Sequence, residues 1–178
     1  MKPQRICVIG TSSCGKSTLA AQISARLGLP HVELDALHWQ PGWVEVPEAE
    51  FRDQVSAVCA GHAWVIDGNS TFVRDIIWPR TEVIVWLDYS LPVVLSRVIW
   101  RTLRRAIFRE PCCNGNRESL WRAFSSDSVV LWALRTCSPR RTEFAGLLNS
   151  PAAAERGVVI LHSPRETCRW LTESSDRW

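Results

Sequence analysis

Four residues near the start of the chain have the types and the spacing to hold a phosphate chain. Gly10, Gly15, Lys16 and Ser17 fit G-x-x-x-x-G-K-[ST], with Thr11, Ser12, Ser13 and Cys14 between the glycines and Thr18 following. A loop that wraps a triphosphate must point several backbone N–H groups inward, and glycines allow the dihedrals and the close approach this needs. Lys16 brings a compact positive charge to the outer phosphates, and the Ser17 hydroxyl can ligate Mg²⁺. Such a loop needs a strand before it and a helix after it. Ile6 to Ile9 is a short apolar run that reads as a buried strand, and beyond Gly15 the residues Leu19, Ile23 and Leu27 recur at helical spacing. The helix start then aims its positive dipole end at the same anions. The stretch therefore reads as a P-loop for Mg-ATP and not as a bare glycine turn.

The second set of candidates is acidic. Asp35, Asp67 and Asp88 each close a stretch that reads as a strand, His31 to Leu34, Ala63 to Ile66 and Glu82 to Leu87. Magnesium needs a carboxylate beyond Ser17, often through a bound water. All three aspartates are strand-end candidates, although Asp88 can equally cap the helix that follows. A third set is basic. Arg97, Arg101, Arg104, Arg105, Arg109, Arg117 and Arg122 crowd into one stretch. Arg97, Arg101 and Arg104 or Arg105 share one helix face, and like charges stacked there repel unless an anion sits among them. Phosphoryl transfer needs such arginines to neutralise charge on the transferred group.

These groups require a frame. Gly28 and Pro30 close the first helix. Pro41-Gly42 signals a turn. Pro47 to Glu50 starts a helix whose apolar face is Phe51, Val55, Val58 and Cys59, and Gly61 stops it. Strands are expected at 31–34, 63–67, 82–88 and 157–161. Helices are expected at 70–77, from Ser90 to about Phe108, over 117–135, over 140–148, and from Pro164 to Leu171, with a turn-rich loop over 109–116. Strands alternating with helices imply a parallel α/β sheet with right-handed crossovers. Ligands in such sheets bind at the carboxyl ends of the strands, which gathers every candidate around one cleft.

With 178 residues the chain reads as one domain, and its 46% apolar content is ordinary for a globular protein. A net charge of +3 does not by itself demand nucleic acid or an acidic membrane. Seven scattered cysteines fit reduced thiols better than a disulfide framework, and adjacent Cys112 and Cys113 lack a second C-x-x-C pair for zinc. No signal peptide is evident, and no apolar run approaches the roughly 20 residues of a membrane span. A soluble cytoplasmic protein is expected, as a monomer or homodimer. Among ten tryptophans, Trp39 and Trp43 stand apart from core-like patterns.

The chain resembles the small P-loop kinases of the adenylate-kinase and shikimate-kinase group. It looks closest to those grouped as FlaR or DNA topology modulation proteins. The segments that carry this are Glu33-Leu34-Asp35-Ala36-Leu37-His38-Trp39, Pro41-Gly42-Trp43, Trp64 to Asn69 and Trp86-Leu87-Asp88. The resemblance implies a three-layer α/β/α P-loop NTPase fold, with a five-stranded parallel sheet of order 2-3-1-4-5 and a helical lid over about 101–125. It implies ATP and Mg²⁺ as donor and cofactor, Arg97 against the nucleotide base and Arg101 on the phosphates. Lys16, Arg101 and Asp35 form the catalytic set. Asp67 is best placed for the metal-bound water, because strand three would lie beside strand one. Asp35 is its rival, since shikimate-type kinases use an aspartate there for metal or for the acceptor hydroxyl. The acceptor pocket is expected from Asp35, His38, Trp39, Gly68, Asn69 and Arg74. Asn69-Ser70-Thr71 departs from the proline and arginine that adenylate kinases usually place after Asp-Gly, which argues against AMP as acceptor. The favoured reading is an ATP-dependent kinase for a small acceptor, nucleotide-like or another metabolite. The alternative is a nucleotide-binding regulatory or nucleic-acid-associated protein, whose arginines, with Arg135, Arg140 and Arg141, contact phosphate backbone. No recognised DNA-binding module supports it.

Overall fold

The structure is a computed structural model, and it describes residues 2–108, 113–116, 129–150, 153 and 156–174. The strands are β1 (Arg5–Gly10), β2 (His31–Glu33), β3 (Trp39–Gln40), β4 (Val44–Glu45), β5 (Trp64–Asp67), β6 (Val83–Leu87) and β7 (Gly157–Leu161). The helices are α1 (Lys16–Leu27), α2 (Leu34–His38), α3 (Glu48–Cys59), α4 (Arg74–Ile77), α5 (Leu91–Phe108), α6 (Val129–Leu148) and α7 (Pro164–Ser174).

Five strands form one sheet in the order β2-β5-β1-β6-β7, and all its neighbours are parallel. Counting only these strands, this is the expected 2-3-1-4-5 order; the antiparallel hairpin β3–β4 stands outside the sheet. Side chains of β1 alternate between the two faces, as a strand must. Ile6 and Val8 join a core with Leu19, Ala20 and Ile23 of α1, Val94 and Val98 of α5 and Leu171 of α7. Cys7 and Ile9 join the opposite core, with Phe51, Val55 and Cys59 of α3 and Ile77 of α4. Both faces are covered, which is why these strands read as continuous apolar runs.

Three expectations are corrected. The strand expected over 31–34 ends at Glu33, and Leu34–His38 turns into the short helix α2. Asp35 and His38, expected in the segment after the strand, are therefore three apart on a helix, on one side of it. The break expected between 135 and 140 is absent: α6 runs through Pro139. A proline inside a helix removes one hydrogen bond and costs about 3 kcal/mol. Here Cys137 on one side of it packs into the first core, while Phe144 and Leu148 on the other pack into the second, and these anchors hold both halves in line. The 70–77 segment is a 3₁₀ turn at Thr71–Val73 that runs into α4. The lid arginines Arg109, Arg117 and Arg122 lie outside the described residues, as does most of the expected lid.

Candidate functional site

The loop between β1 and α1 is built to expose backbone. Gly15, at the start of α1, has φ 101°, and a Cβ there would lie 2.8 Å from Nη1 of Arg97. Glycine is thus required for conformation and for space, because Arg97 reaches over it to donate to the Cys14 carbonyl at 2.6 Å. The Arg97 guanidinium also sits 5.2 Å from the Tyr89 ring centroid. Lys16 Nζ donates to the Thr11 carbonyl at 3.1 Å, so the loop curls around its own cation. Cys14 is fully buried, and burial pushes its thiol pKa up, which makes it a packing residue of the loop.

Asn69 is tied to this loop. Its Oδ1 accepts the Gly10 N–H at 3.1 Å, and its Nδ2 donates to the Gly10 carbonyl. One amide thereby clamps the first glycine of the loop to the end of β5. Asn69 still borders the acceptor side, but its bonds serve the donor side. Gly68 is likewise reassigned in part. Expected in the acceptor pocket, it also serves packing: a Cβ there, at φ 140°, would lie 2.7 Å from Cβ of Leu34, so the glycine lets α2 pack against the end of β5.

Asp67 is 4% exposed. Its Oδ2 accepts from the Ser17 hydroxyl at 2.6 Å and its Oδ1 lies 3.0 Å from Nε2 of His31. Ser17 directs its proton to the carboxylate, which leaves its lone pairs for a cation. A hydroxyl and a carboxylate beside the phosphate loop are hard oxygen donors, and Mg²⁺ bound with phosphates and waters needs no more protein ligands than these. Among the described residues no cluster of three or more His, Cys, Asp or Glu side chains offers a closed metal cage. Ser17 and Asp67 thus fit a magnesium ion shared with a nucleotide. Asp88 is engaged elsewhere: it accepts from Arg141 at 2.8 and 3.1 Å and lies 3.3 Å from Nδ1 of His162.

Two cavities meet here. The larger, about 740 Å³, runs along the P-loop and α5, where Arg97, Trp100, Arg101 and Arg105 face Lys16, Ser17 and Thr18. The smaller, about 280 Å³, lies among α2, the β5 end and α6, with Asp35, His38, Phe51, Thr71, Phe72 and Arg140 on its walls. Ser12, Lys16 and Asp35 line both. Arg101 lines the larger cavity together with the phosphate loop. Asp35 falls at the junction.

Part of the expected acceptor set shares one cavity. Asp35, His38, Gly68 and Asn69 line the smaller cavity, whereas Trp39 and Arg74 are not among its lining residues. The Trp39 ring packs edge-on against His38 and Trp43. Arg74 pairs with Glu143 at 2.8 Å and stacks over Trp78 and Phe144, which fastens α4 to α6. Besides Lys16, the cation on the cavity wall is Arg140, one of the arginines offered above for contact with a nucleic-acid backbone. Burial holds its pKa below the ordinary value for arginine, against the pull of Glu143. Only the packing of α6 against the second core brings it there, and no local motif signals it. His38 keeps Nδ1 buried without a hydrogen-bond partner among the described residues.

The comparisons with known proteins agree with this frame. No family model matches the chain. Two curated shikimate kinases are similar over part of it. The protein from Synechococcus sp. (strain JA-3-3Ab) is 31% identical over 112 residues, which is 55% of this chain and 57% of that one. The protein from Rhodopirellula baltica is 30% identical over 114 residues, 55% of this chain and 60% of that one. The chain thus matches somewhat over half the length of these curated relatives. Among solved structures, a shikimate kinase from Bacteroides thetaiotaomicron superposes with a TM-score of 0.57 at 14% identity, covering 99% of this chain and 98% of that one. A gluconokinase from Sinorhizobium meliloti 1021 superposes with a TM-score of 0.53 at 19% identity, covering 98% and 95%. The fold is therefore that of the P-loop kinases, of the adenylate-kinase-like type. No helix among the described residues is long and apolar enough to cross a membrane.

Proposed function

We propose that the chain is an ATP-dependent phosphotransferase that moves the γ-phosphoryl of Mg-ATP to a hydroxyl of a small, polar, non-nucleotide metabolite. The observation that carries this reading is the shared wall: Ser12, Lys16 and Asp35 border both cavities, so a phosphoryl held by Lys16 lies against whatever occupies the smaller one. The P-loop backbone, Lys16 and Thr18 hold the phosphates, and Arg97, Arg101 and Arg105 line the same space with positive charge. Ser17, and Asp67 through a water, would hold a magnesium ion, which would supply charge neutralisation on the phosphates. The acceptor oxygen attacks the γ-phosphorus, the bond to the β–γ bridging oxygen breaks, ADP leaves, and Asp35 takes the hydroxyl proton. No covalent enzyme intermediate is involved.

The smaller cavity favours a compact acceptor. Beside Lys16 on the wall it shares with the phosphate loop it has a second cation, Arg140, one carboxylate, Asp35, several hydroxyl groups and an amide, and apolar walls from Leu34, Phe51 and Phe72. A hydroxylated acid suits this set: Arg140 holds its anionic group while Asp35 faces a hydroxyl. The partial similarity to shikimate kinases and the shared fold with a gluconokinase support the same acceptor class. The grouping with the FlaR or topology modulation kinases rests on the Glu33–Trp39 and Trp64–Asn69 segments and is part of this reading.

The test is ADP release from Mg-ATP with a panel of hydroxy acids, shikimate and gluconate included, beside nucleoside monophosphates and nucleosides. Saturable stimulation by one hydroxy acid, lost in Lys16→Ala, is expected. Stimulation by a nucleoside monophosphate alone would sink the acceptor class, and release indifferent to every small acceptor would sink the kinase reading.

A further inference from the structure

His31 has no part in the scheme above, yet it makes a bond within the site. It opens β2, and its Nε2 lies 3.0 Å from Asp67 Oδ1, while Asp67 Oδ2 accepts from Ser17 at 2.6 Å. A carboxylate only accepts, so Nε2 carries the proton and donates. The side chains of His31 and Asp67 are 17% and 4% exposed, which takes the bond out of bulk water. In the sheet register Glu33 faces Asp67 and His31 faces Val65, so His31 stands two residues back on the same face and reaches forward along the strand. The terminal torsion of a carboxylate is soft and nearly two-fold. With Ser17 as its one partner the Asp67 carboxylate would pivot; with a partner on each oxygen its plane is fixed.

We propose that His31 is a positioning residue that orients Asp67 toward the metal-bound water of the nucleotide site. This rests on the reading of Ser17 and Asp67 as magnesium ligands. Partners of this kind, one bond removed from a metal, commonly govern affinity by about tenfold or more. His31 acts through Asp67 alone, so its loss should leave nucleotide binding without metal untouched.

The experiment uses the full chain with a non-hydrolysable ATP analogue, titrated calorimetrically with and without Mg²⁺. His31→Phe keeps the ring and removes the donor; His31→Gln restores a donor. The expected result for His31→Phe is analogue affinity within about twofold of wild type without Mg²⁺, and a loss of about tenfold in the enhancement that Mg²⁺ gives. His31→Gln should recover much of that enhancement. An unchanged Mg²⁺ enhancement in His31→Phe overturns the proposal. So does an equal loss with and without Mg²⁺ accompanied by a lowered melting temperature in both variants, which marks a purely structural role. Wild-type affinity that ignores Mg²⁺ overturns the metal reading itself, and the role of His31 with it.

Discussion

The donor and acceptor halves of the cleft are built on different principles. The donor half is one contiguous loop whose backbone does the recognising, with glycines at positive φ and supports from Arg97 and Asn69. The acceptor half has no contiguous motif. Apart from the wall of Ser12 and Lys16 that it shares with the donor loop, its walls come from α2, the start of α3, the segment after β5, and α6, and they meet only because the sheet and its two cores bring them together. A phosphate chain is the same in every nucleotide, so one backbone cradle suffices for it. An acceptor must be distinguished by its own groups, and that takes side chains converging from several directions.

Breaking the donor half should have the largest effect. Lys16→Ala is expected to lower the phosphoryl-transfer rate by about 10²–10³-fold, since a preorganised charge on the transferred group is lost; ADP release reads this. Asp35→Asn, at the junction, should lower kcat by about 10²-fold while analogue affinity stays within about twofold, because a proton acceptor is lost and no phosphate contact is. Equal losses in both would move Asp35 to the donor half. Arg140→Ala should raise the acceptor KM by about tenfold with the ATP KM unchanged, as expected for one charge-assisted hydrogen bond. Arg74→Ala should leave both KM values alone and lower the melting temperature, since its partner is Glu143. An acceptor KM that follows Arg74 and not Arg140 would reverse the corrected assignment. The smallest effect sharpens the comparison most. Asn69→Ala should lower stability by about 1–3 kcal/mol in a urea titration and weaken ATP a few-fold with little change in acceptor KM, because its bonds go to Gly10 although it borders the acceptor cavity.

Much of the donor half was legible because its determinants are local. Gly10 to Thr18 follow one another, and the strand before and the helix after carry their own periodicity. The strand-end aspartates were legible for a similar reason: strand ends are marked by the close of an apolar run, and Asp67 beside Ser17 then follows from the strand order. What failed to show were groups that act at a distance. Arg140 sits on a helix whose course through Pro139 contradicts the usual effect of that residue. Arg74 was expected in the acceptor pocket by resemblance, and only the position of Glu143 shows where it goes. His31 looked like an ordinary strand opener until the parallel register put it two residues behind Asp67's partner.

By itself the sequence determined the phosphate loop, the parallel α/β sheet with both faces covered, and the identity of the residues at its strand ends, since these follow from motif and periodicity within short windows. Tertiary structure decided that Arg140 joins Lys16 on the acceptor cavity, which amide supports Gly10, and how Asp67 is held. Each of those depends on two elements separated in sequence arriving side by side: the packing of α6 against the second core brings Arg140 to the cavity, and the parallel register of β2, β5 and β1 brings His31 to Asp67 and Asn69 to Gly10.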